Sequence, residues 1–211
     1  MNRALLVLAF VLGACSSKAI PTNPMQIPET NSVPVQSPPT EMTTASPVPV
    51  SPASDPFSKL GEPSCNGITP ANSEGPYYKA GSPERNSLLG EGLIGKRLIL
   101  VGYVLDSNCR PIPTAWLDFW QADASGNYDN NEFTLRGHQY TDERGRYLLE
   151  TVIPGLYASR HIRHIHVKVQ EPGGETLTTQ LYFPDQAVDG LTVQMESMGK
   201  FLLAIFNFVL E

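Results

Sequence analysis

The sequence predicts an all-β domain, a two-sheet β-sandwich with irregular loops and at most a short helix. Three observations support this prediction. Short segments rich in β-branched and aromatic residues recur along residues 97–210. Clusters of Gly, Pro, Asn and Asp separate them, as turns separate strands. No stretch of this region has the sustained apolar period of a long helix.

Six segments predict the strands of this sandwich. The clearest is 165–169, in which apolar and polar residues alternate as they do in a half-buried strand. Residues 194–204 predict one or two helical turns, and residues 136–139 predict a polar loop containing His138. Trp116 and Trp120 share a strand face by their spacing of four, and we expect both in the core. The predicted strands are 97–105, 115–121, 146–152, 165–169, 177–183 and 206–210.

The first residues predict an export signal rather than a domain. Arg3 precedes an apolar run over residues 4–12, which is too short to span a bilayer but suits a signal peptide. Residues 12–15, Leu-Gly-Ala-Cys, resemble the bacterial lipoprotein processing box. That resemblance implies a signal peptide over 1–14 and a lipid anchor on Cys15, which would place the domain outside the cytoplasm. Ser16 would favour the outer membrane in a bacterium with two membranes. The alternative is an ordinary cleaved signal with an incidental cysteine.

Composition divides the rest of the chain into a tether and a domain. Residues 15–60 are rich in Pro, Ser and Thr, so they cannot bury enough apolar surface to fold and predict an extended spacer. Residues 61–211 have the size of one domain. The net charge of −6 gives no basic footprint for nucleic acid. With Cys15 bound to lipid, Cys65 and Cys109 remain as an even pair in an oxidising compartment, and we predict a disulfide between them.

The chemistry centres on His164-Ile165-His166. Alternation along a strand turns both imidazoles to the same face, about 6.6 Å apart along the backbone. That spacing suits two ligands of one metal ion, although imidazole binds iron, zinc, copper and nickel alike. Two histidines on a polar strand face without a metal are the alternative. Tyr128 and Tyr157, each just after a turn, add phenols, and phenolate is a hard anionic ligand that prefers ferric iron to zinc.

Six stretches in order extend this pattern and together resemble one family. Any one stretch is weakly specific, but all six resemble the intradiol ring-cleavage dioxygenases, the group containing protocatechuate 3,4-dioxygenase and catechol 1,2-dioxygenase. The resemblance spans residues 65–183. The stretches are Thr69-Pro-Ala-Asn-Ser-Glu-Gly-Pro-Tyr-Tyr78, Asp118-Phe-Trp-Gln-Ala122, Gly126-Asn-Tyr128, Pro154-Gly-Leu-Tyr157, Arg163-His-Ile-His166 and Thr179-Gln-Leu-Tyr-Phe183.

The resemblance implies a non-haem Fe(III) site and a function. Tyr128 would stay on the iron throughout turnover, and Tyr157 would be the tyrosine displaced by the substrate. His164 and His166 would be the other two ligands, and Gln180 would lie near the substrate ring. The enzyme would cleave a catechol-type ring between its two hydroxyl-bearing carbons with both atoms of O2, giving a muconate-type diacid.

The resemblance also implies residues around the substrate. Tyr77 or Tyr78 would approach the pocket. The family has an arginine three residues before the first histidine, which stabilises charge on the substrate, but this chain has His161 there. Arg160 is our candidate for that role, since a strand at Arg163 would point its side chain away from the iron face. His161 is then either a pocket residue with an acid–base role or a loop residue.

Two classes of function follow from these observations. The first is an iron-dependent dioxygenase whose partners are a catechol-like small molecule, O2 and, through Cys15, a membrane. The second is a non-catalytic, surface-anchored binding module built on the same sandwich, which would need no pair of tyrosines beside the His-x-His. A homo-oligomer would require separate chains, because the sequence holds one copy of the motifs.

Overall fold

A computed structural model describes residues 55–157 and 160–211. The predicted signal peptide, Cys15 and all but the last residues of the predicted tether lie outside this part of the chain. The described residues contain two sheets and only short 3-10 turns, so the predicted all-β sandwich is confirmed. They include no helix that is long and apolar enough to cross a membrane.

Within the described residues, nine strands form the two sheets. The five-stranded sheet has the order β4-β1-β8-β7, and β9 also pairs with β1; the four-stranded sheet has the order β3-β2-β5-β6. Each of the six predicted segments overlaps one of these strands. The strands are β1 (Arg97–Leu105), β2 (Trp116–Trp120), β3 (Arg136–Tyr140), β4 (Arg146–Val152), β5 (His164–Gln170), β6 (Thr176–Tyr182), β7 (Gln194–Ser197), β8 (Leu202–Ile205) and β9 (Phe208–Val209).

Alternate residues of the strands build the core between the sheets. In β2, Leu117 and Phe119 are fully buried in it, and in β5, Ile165, Val167 and Val169 take the same role. The pleat of a strand sends the intervening residues to the opposite face. On the four-stranded sheet, the core therefore fixes which side chains point outwards.

A second apolar cluster covers the outer face of the five-stranded sheet. Ile99 and Val101 of β1 lie in it with Leu203 of β8, and Phe57 and Leu60 pack against them. A 3-10 turn, Pro56–Lys59, brings these two side chains to the sheet. The contacts of the folded unit thus extend to Phe57, ahead of the predicted start at residue 61.

Two local predictions were wrong. Residues 194–204 form the β7–β8 hairpin rather than helical turns, because β8 pairs with β1 and alternates between the two apolar clusters: Leu203 enters one and Ala204 the other. Residues 136–139 belong to β3 rather than to a polar loop. Arg136 and Gln139 are buried on this strand and His138 is half-buried, so its polar side chains do not mark a solvent-facing loop.

Residues 69–88, which we call the covering segment, cross the outer face of the four-stranded sheet. Backbone bonds tie the segment at both ends: Asn72 donates to Thr178 of β6, and Arg85 donates to His138 of β3. The segment that precedes it is joined to the β1–β2 connection by a disulfide between Cys65 and Cys109, whose Cα atoms are 5.5 Å apart. The covering segment therefore buries a sheet face that would otherwise be open to water.

Candidate metal centre

The outer face of the four-stranded sheet carries both histidines of the His-x-His motif. Antiparallel register places His166 between Trp120 of β2 and Gln180 of β6, and His164 opposite Tyr182. All of these residues alternate with core residues, so their side chains share the outer face. Both histidines are nevertheless buried, at 4% exposure for His164 and 2% for His166.

The covering segment buries them by passing close to His166. Gly75 has a φ of +71°, and a Cβ built on it would lie 3.1 Å from Cε1 of His166. Only a residue without a side chain allows the backbone to run this near to the ring. Gln180 holds the neighbouring part of the segment, because its Nε2 donates to the carbonyl of Ser73 at 2.5 Å.

The two imidazoles present their Nε2 atoms to each other at 3.1 Å. Nδ1 of His164 lies 2.8 Å from the carbonyl of Ile162, so this nitrogen carries the proton and leaves the Nε2 lone pair free. The indole of Trp120 stacks on the His166 ring at 4.8 Å and 5°. The hydrogen bond and the stack fix both rings in orientations that suit ligands.

Two loops bring the tyrosines to the histidines. The hydroxyl of Tyr128 lies 3.4 Å from Nε2 of His164, and the Tyr128 and Tyr157 rings meet edge to face at 5.5 Å. The loops that carry these tyrosines touch at two glycines. A Cβ on Gly126 would lie 2.0 Å from the carbonyl oxygen of Leu156, and one on Gly155 would lie 2.5 Å from that of Ala124. The loops therefore meet only because both positions are glycine.

A third tyrosine, Tyr77 of the covering segment, contacts both of these phenols. Its ring stacks on Tyr128 at 4.5 Å and 18°, and its hydroxyl hydrogen-bonds to the hydroxyl of Tyr157. Tyr78 points elsewhere: its hydroxyl donates to Asp118 at 3.2 Å, and its ring packs on Trp120. Of the two predicted pocket tyrosines, the structure brings Tyr77 against the tyrosine pair.

Burial dominates the electrostatics of the two histidines and the two tyrosines. It lowers the pKa of both histidines, that of His166 to about 2 with the charge of Arg160 acting in the same direction, so both rings are neutral at pH 7. Burial also raises the pKa of Tyr128 to about 12, against the opposing charges of Arg160 and Arg136. The hydrogen bond to Tyr77 and then burial raise the pKa of Tyr157. Without a metal, both phenols therefore keep their protons.

Arg160 and His161 lie differently relative to this cluster. The backbone N–H of Arg160 donates to the carbonyl of Tyr157 at 2.7 Å, and its charge acts on the pKa of both tyrosines and both histidines. The His161 side chain is exposed, and the backbone carbonyl of His161 accepts a hydrogen bond from the Gln186 amide.

The donor set fits a metal ion that accepts nitrogen and hard oxygen ligands. Two neutral imidazoles face each other across a short gap with a phenol beside them, and a second phenol adjoins the first. Within residues 55–157 and 160–211, no cluster of three or more His, Cys, Asp and Glu residues offers another metal site.

Comparison with known proteins shows the family of the chain. The family model described as Dioxygenase matches residues 73–198, more than half of the chain. The chain belongs to the intradiol ring-cleavage dioxygenase family. The matched region runs from the covering segment through both tyrosine loops and the His-x-His strand to β7.

Relatives within the family include two well-known groups. The chain is 32% identical over 141 residues to the catechol 1,2-dioxygenase of Acinetobacter baylyi, a match covering 54% of this chain and 45% of the relative. It is 32% identical over 142 residues to the protocatechuate 3,4-dioxygenase alpha chain of Pseudomonas putida, covering 56% and 71%. The chain thus spans about half the length of the catechol 1,2-dioxygenase it matches.

Solved structures show the same fold. The dioxygenase domain of a dioxygenase–carbohydrate-binding protein fusion from Streptomyces sp. SirexAA-E superposes with a TM-score of 0.66 at 44% identity, covering 68% of this chain and 98% of that one. The intradiol ring-cleavage dioxygenase of Tetranychus urticae gives a TM-score of 0.61 at 25% identity, covering 68% and 94%. Both neighbours are matched over nearly their whole length.

Sequence reasoning missed the role of the outer-face residues around the ligands. Trp120 is buried as expected, but it packs on His166 outside the core, while Trp116 is only half-buried. Asp118, between them on the same face, accepts hydrogen bonds from Tyr78 and Ser82, and burial raises its pKa. The alternation along β2 indicates this placement. Leu117 and Phe119 lie on the inner face, so Trp116, Asp118 and Trp120 lie on the outer face.

Proposed function

We propose that this chain is a non-haem Fe(III) intradiol dioxygenase that acts on a catechol-type ring. It would insert both atoms of O2 and cleave between the two hydroxyl-bearing carbons to give a muconate-type diacid. The observation that carries the proposal is the convergence of two imidazole nitrogens 3.1 Å apart with the phenol of Tyr128, next to Tyr157, in a chain of this family. Tyr128, Tyr157, His164 and His166 would hold the ion.

The two tyrosines have different surroundings, which supports different roles. A ferric ion lowers the pKa of phenols bound to it, so that a catechol can bind with both oxygens deprotonated. Tyr128 is pressed between the Tyr77 ring and the histidines, which favours a permanent ligand. The phenol of Tyr157 already has a hydrogen-bond partner in Tyr77. Tyr77 would hold that phenol, with its proton, when substrate takes its place.

Arg160 is the cation we assign to the substrate. Its backbone N–H bonds Tyr157, and its charge acts on the pKa of all four proposed ligands, so it lies within electrostatic reach of the site. A guanidinium there would stabilise negative charge as it develops on the ring during cleavage. His161, which occupies the family's arginine position, has an exposed side chain, and its predicted place in the pocket stays a prediction.

Gln180 would line the site beside the substrate ring. It is fully buried directly opposite His166, and the hydroxyl of Tyr182 donates to its Oε1 at 2.9 Å. Both ends of the amide are therefore bonded, to Ser73 and to Tyr182, which fixes the orientation of the side chain. The names of the relatives, catechol 1,2-dioxygenase and protocatechuate 3,4-dioxygenase, support a catechol-type substrate.

The proposal is tested by loading purified protein with iron. We expect a red-brown protein with one iron per chain, because tyrosinate-to-iron charge transfer absorbs visible light, and O2 uptake with at least one member of a panel of catechols. Arg160→Met should keep the colour and lose most of the O2 uptake, while Arg144→Met, in an exposed turn, serves as the matched control. A colourless protein, or one that binds zinc in preference to iron, would favour the non-catalytic binding module.

We also propose that the protein is exported and anchored by lipid on Cys15, which lies outside the described residues. The Leu-Gly-Ala-Cys tetrad before a Pro/Ser/Thr-rich tether supports this location. Mass spectrometry of the mature N-terminus after expression in a bacterium should find a diacylated cysteine at residue 15. Cys15→Ser should abolish the modification and release the domain from the membrane fraction, and an unmodified, unprocessed N-terminus would contradict the proposal.

A further inference from the structure

Arg136 of β3 is a buried cation that joins the covering segment to the loop carrying Tyr128. Its side chain is 2% exposed. Nη1 donates to the carbonyl of Tyr77 at 2.6 Å, while Nε and Nη2 donate to the carbonyl of Asp129 at 3.1 and 2.9 Å. One planar guanidinium thus bonds two chain segments at once, through different nitrogens.

The charge of Arg136 is held by carbonyls rather than by a carboxylate. In the described ranges, the ion pairs within 4.0 Å do not include it. Burying a charge without a counter-ion is costly unless its hydrogen bonds are well satisfied. An arginine therefore suits this position because its guanidinium can donate to both carbonyls at once.

The two carbonyls lie beside the stacked rings of Tyr77 and Tyr128. The loop after Tyr128 is closed by Asp129, whose carboxylate accepts from the backbone N–H groups of Asn131, Glu132 and Thr134. That loop is thus fixed within itself, and the covering segment is fixed at its ends. Lys79 and Arg85 of the covering segment also bond this loop, at Asn131 and Phe133, but Arg136 is the bridge that reaches the segment at Tyr77 itself, where the rings stack.

We propose that Arg136 is a positioning residue that sets the stack of Tyr77 on Tyr128 and, through Tyr77, the hydroxyl that meets Tyr157. The placement of the rings is a property of the metal-free protein. Its effect on bound iron rests on the proposed function.

The Arg136→Lys variant distinguishes a role of the side chain's shape from a role of its charge. Lysine keeps the positive charge but donates from a single point, so it cannot reproduce a fork that reaches two carbonyls on different edges. If position matters, Arg136→Lys should resemble Arg136→Met. If only charge matters, Arg136→Lys should resemble the unmodified protein.

Near-UV circular dichroism of protein stripped of metal is sensitive to the stack, since coupled tyrosine rings contribute to that signal. Tyr77→Ala sets the scale of the loss. We expect Arg136→Met and Arg136→Lys each to lose most of that amount while the far-UV spectrum is retained. Arg85→Met is the matched control, because Arg85 donates to the carbonyls of Phe133, in the same loop, and of Arg136, without bonding Tyr77. It should keep the signal.

A double-mutant cycle then tests whether Arg136 acts through Tyr77. Arg136→Met in the Tyr77→Ala background should cause no further loss of the near-UV signal, and in iron-loaded protein it should cause no further shift of the charge-transfer band.

Equal losses with and without Tyr77, a normal signal in Arg136→Lys, or a loss in Arg85→Met as large as in Arg136→Met would each overturn the proposal. Should Arg136→Met fail to fold, Arg136→Lys decides the question because it keeps the buried charge. If the unmodified protein does not bind iron, the proposed function fails, while the spectra of protein stripped of metal still decide the role of Arg136.

Discussion

The two faces of the four-stranded sheet are built from the same strands and differ in what buries them. The inner face is apolar and is covered by the other sheet, so Leu117, Phe119 and Val167 are fully buried there. The outer face carries His164 and His166, which are almost as buried, but their cover is the covering segment and two loops.

The inner face therefore contributes mainly to stability, and the outer face mainly to the candidate metal centre. A regular sheet can exclude water from apolar side chains, but it offers few polar contacts to a buried imidazole. Irregular segments supply carbonyls, phenols and glycines at chosen points, as Ser73, Tyr77 and Gly75 do here. Changes to the inner face should therefore lower the free energy of unfolding, and changes to the outer face should alter iron binding.

The largest loss of stability should follow from Phe119→Ala on the inner face. The change removes a fully buried ring and leaves a cavity, which costs about 3–5 kcal/mol. Denaturant unfolding measures it, and the folded fraction should still bind one iron per chain. A loss below about 1 kcal/mol would mean that the inner face does not carry the stability assigned to it.

Gly126→Ala should have a smaller effect on stability and a larger one on the site. Its φ of +88° is strained for alanine, and the new Cβ would meet the Leu156 carbonyl at 2.0 Å, so the two tyrosine loops must separate. We expect a loss of about 1–3 kcal/mol together with weaker iron binding.

Gly173→Ala is the matched control for Gly126→Ala. Gly173 also has a positive φ, +79°, but a Cβ there meets no atom within 4 Å. It should lose about 1 kcal/mol from backbone strain alone and bind iron normally. Equal iron affinity in the two variants would show that the close approach of the loops does not set the site.

The outer face should also make the metal-free protein sensitive to acid. Burial keeps the pKa of His164 and His166 below 6.5, so below that pH the unfolded chain binds protons that the folded chain does not. Stability should therefore fall as pH drops from about 6.5 to 5, by up to roughly 1.4 kcal/mol per pH unit for each histidine.

Denaturant unfolding at several pH values measures this slope. Since the raised pKa of Asp118 acts in the opposite direction at lower pH, the measurement belongs above pH 5. His166→Ala should flatten the slope. An unchanged slope in that variant would mean that His166 is not the group that resists protonation.

The inner face was more predictable from the sequence than the outer one. Alternation in 165–169 fixed both the core residues and the shared face of His164 and His166. The polar strand β3 looked like a loop because its outward residues bond to the covering segment, a contact between residues distant in the chain. The β7–β8 hairpin was missed because its pairing with β1 outweighs local propensity.

The site was predictable as a set of residue types but not as a set of contacts. The motifs gave Tyr128, Tyr157, His164 and His166, which the structure brings together. They did not distinguish Tyr77 from Tyr78, because two adjacent tyrosines in an irregular segment have no period to orient them. The role of Trp120 followed only from the register that sets it beside His166.

The most direct test of the account is an iron titration that compares two histidines of the same outer face. His164 points its Nε2 at the other proposed ligands, whereas His138 is half-buried on β3, and its ring nitrogen Nδ1 lies 2.7 Å from the carbonyl of Ser82. Metal-free protein should bind one iron and develop the tyrosinate charge-transfer band. His164→Ala should lose both, as Tyr128→Phe should, while His138→Ala should keep both. Loss of iron and colour in His138→Ala to the same extent as in His164→Ala would contradict the ligand assignment.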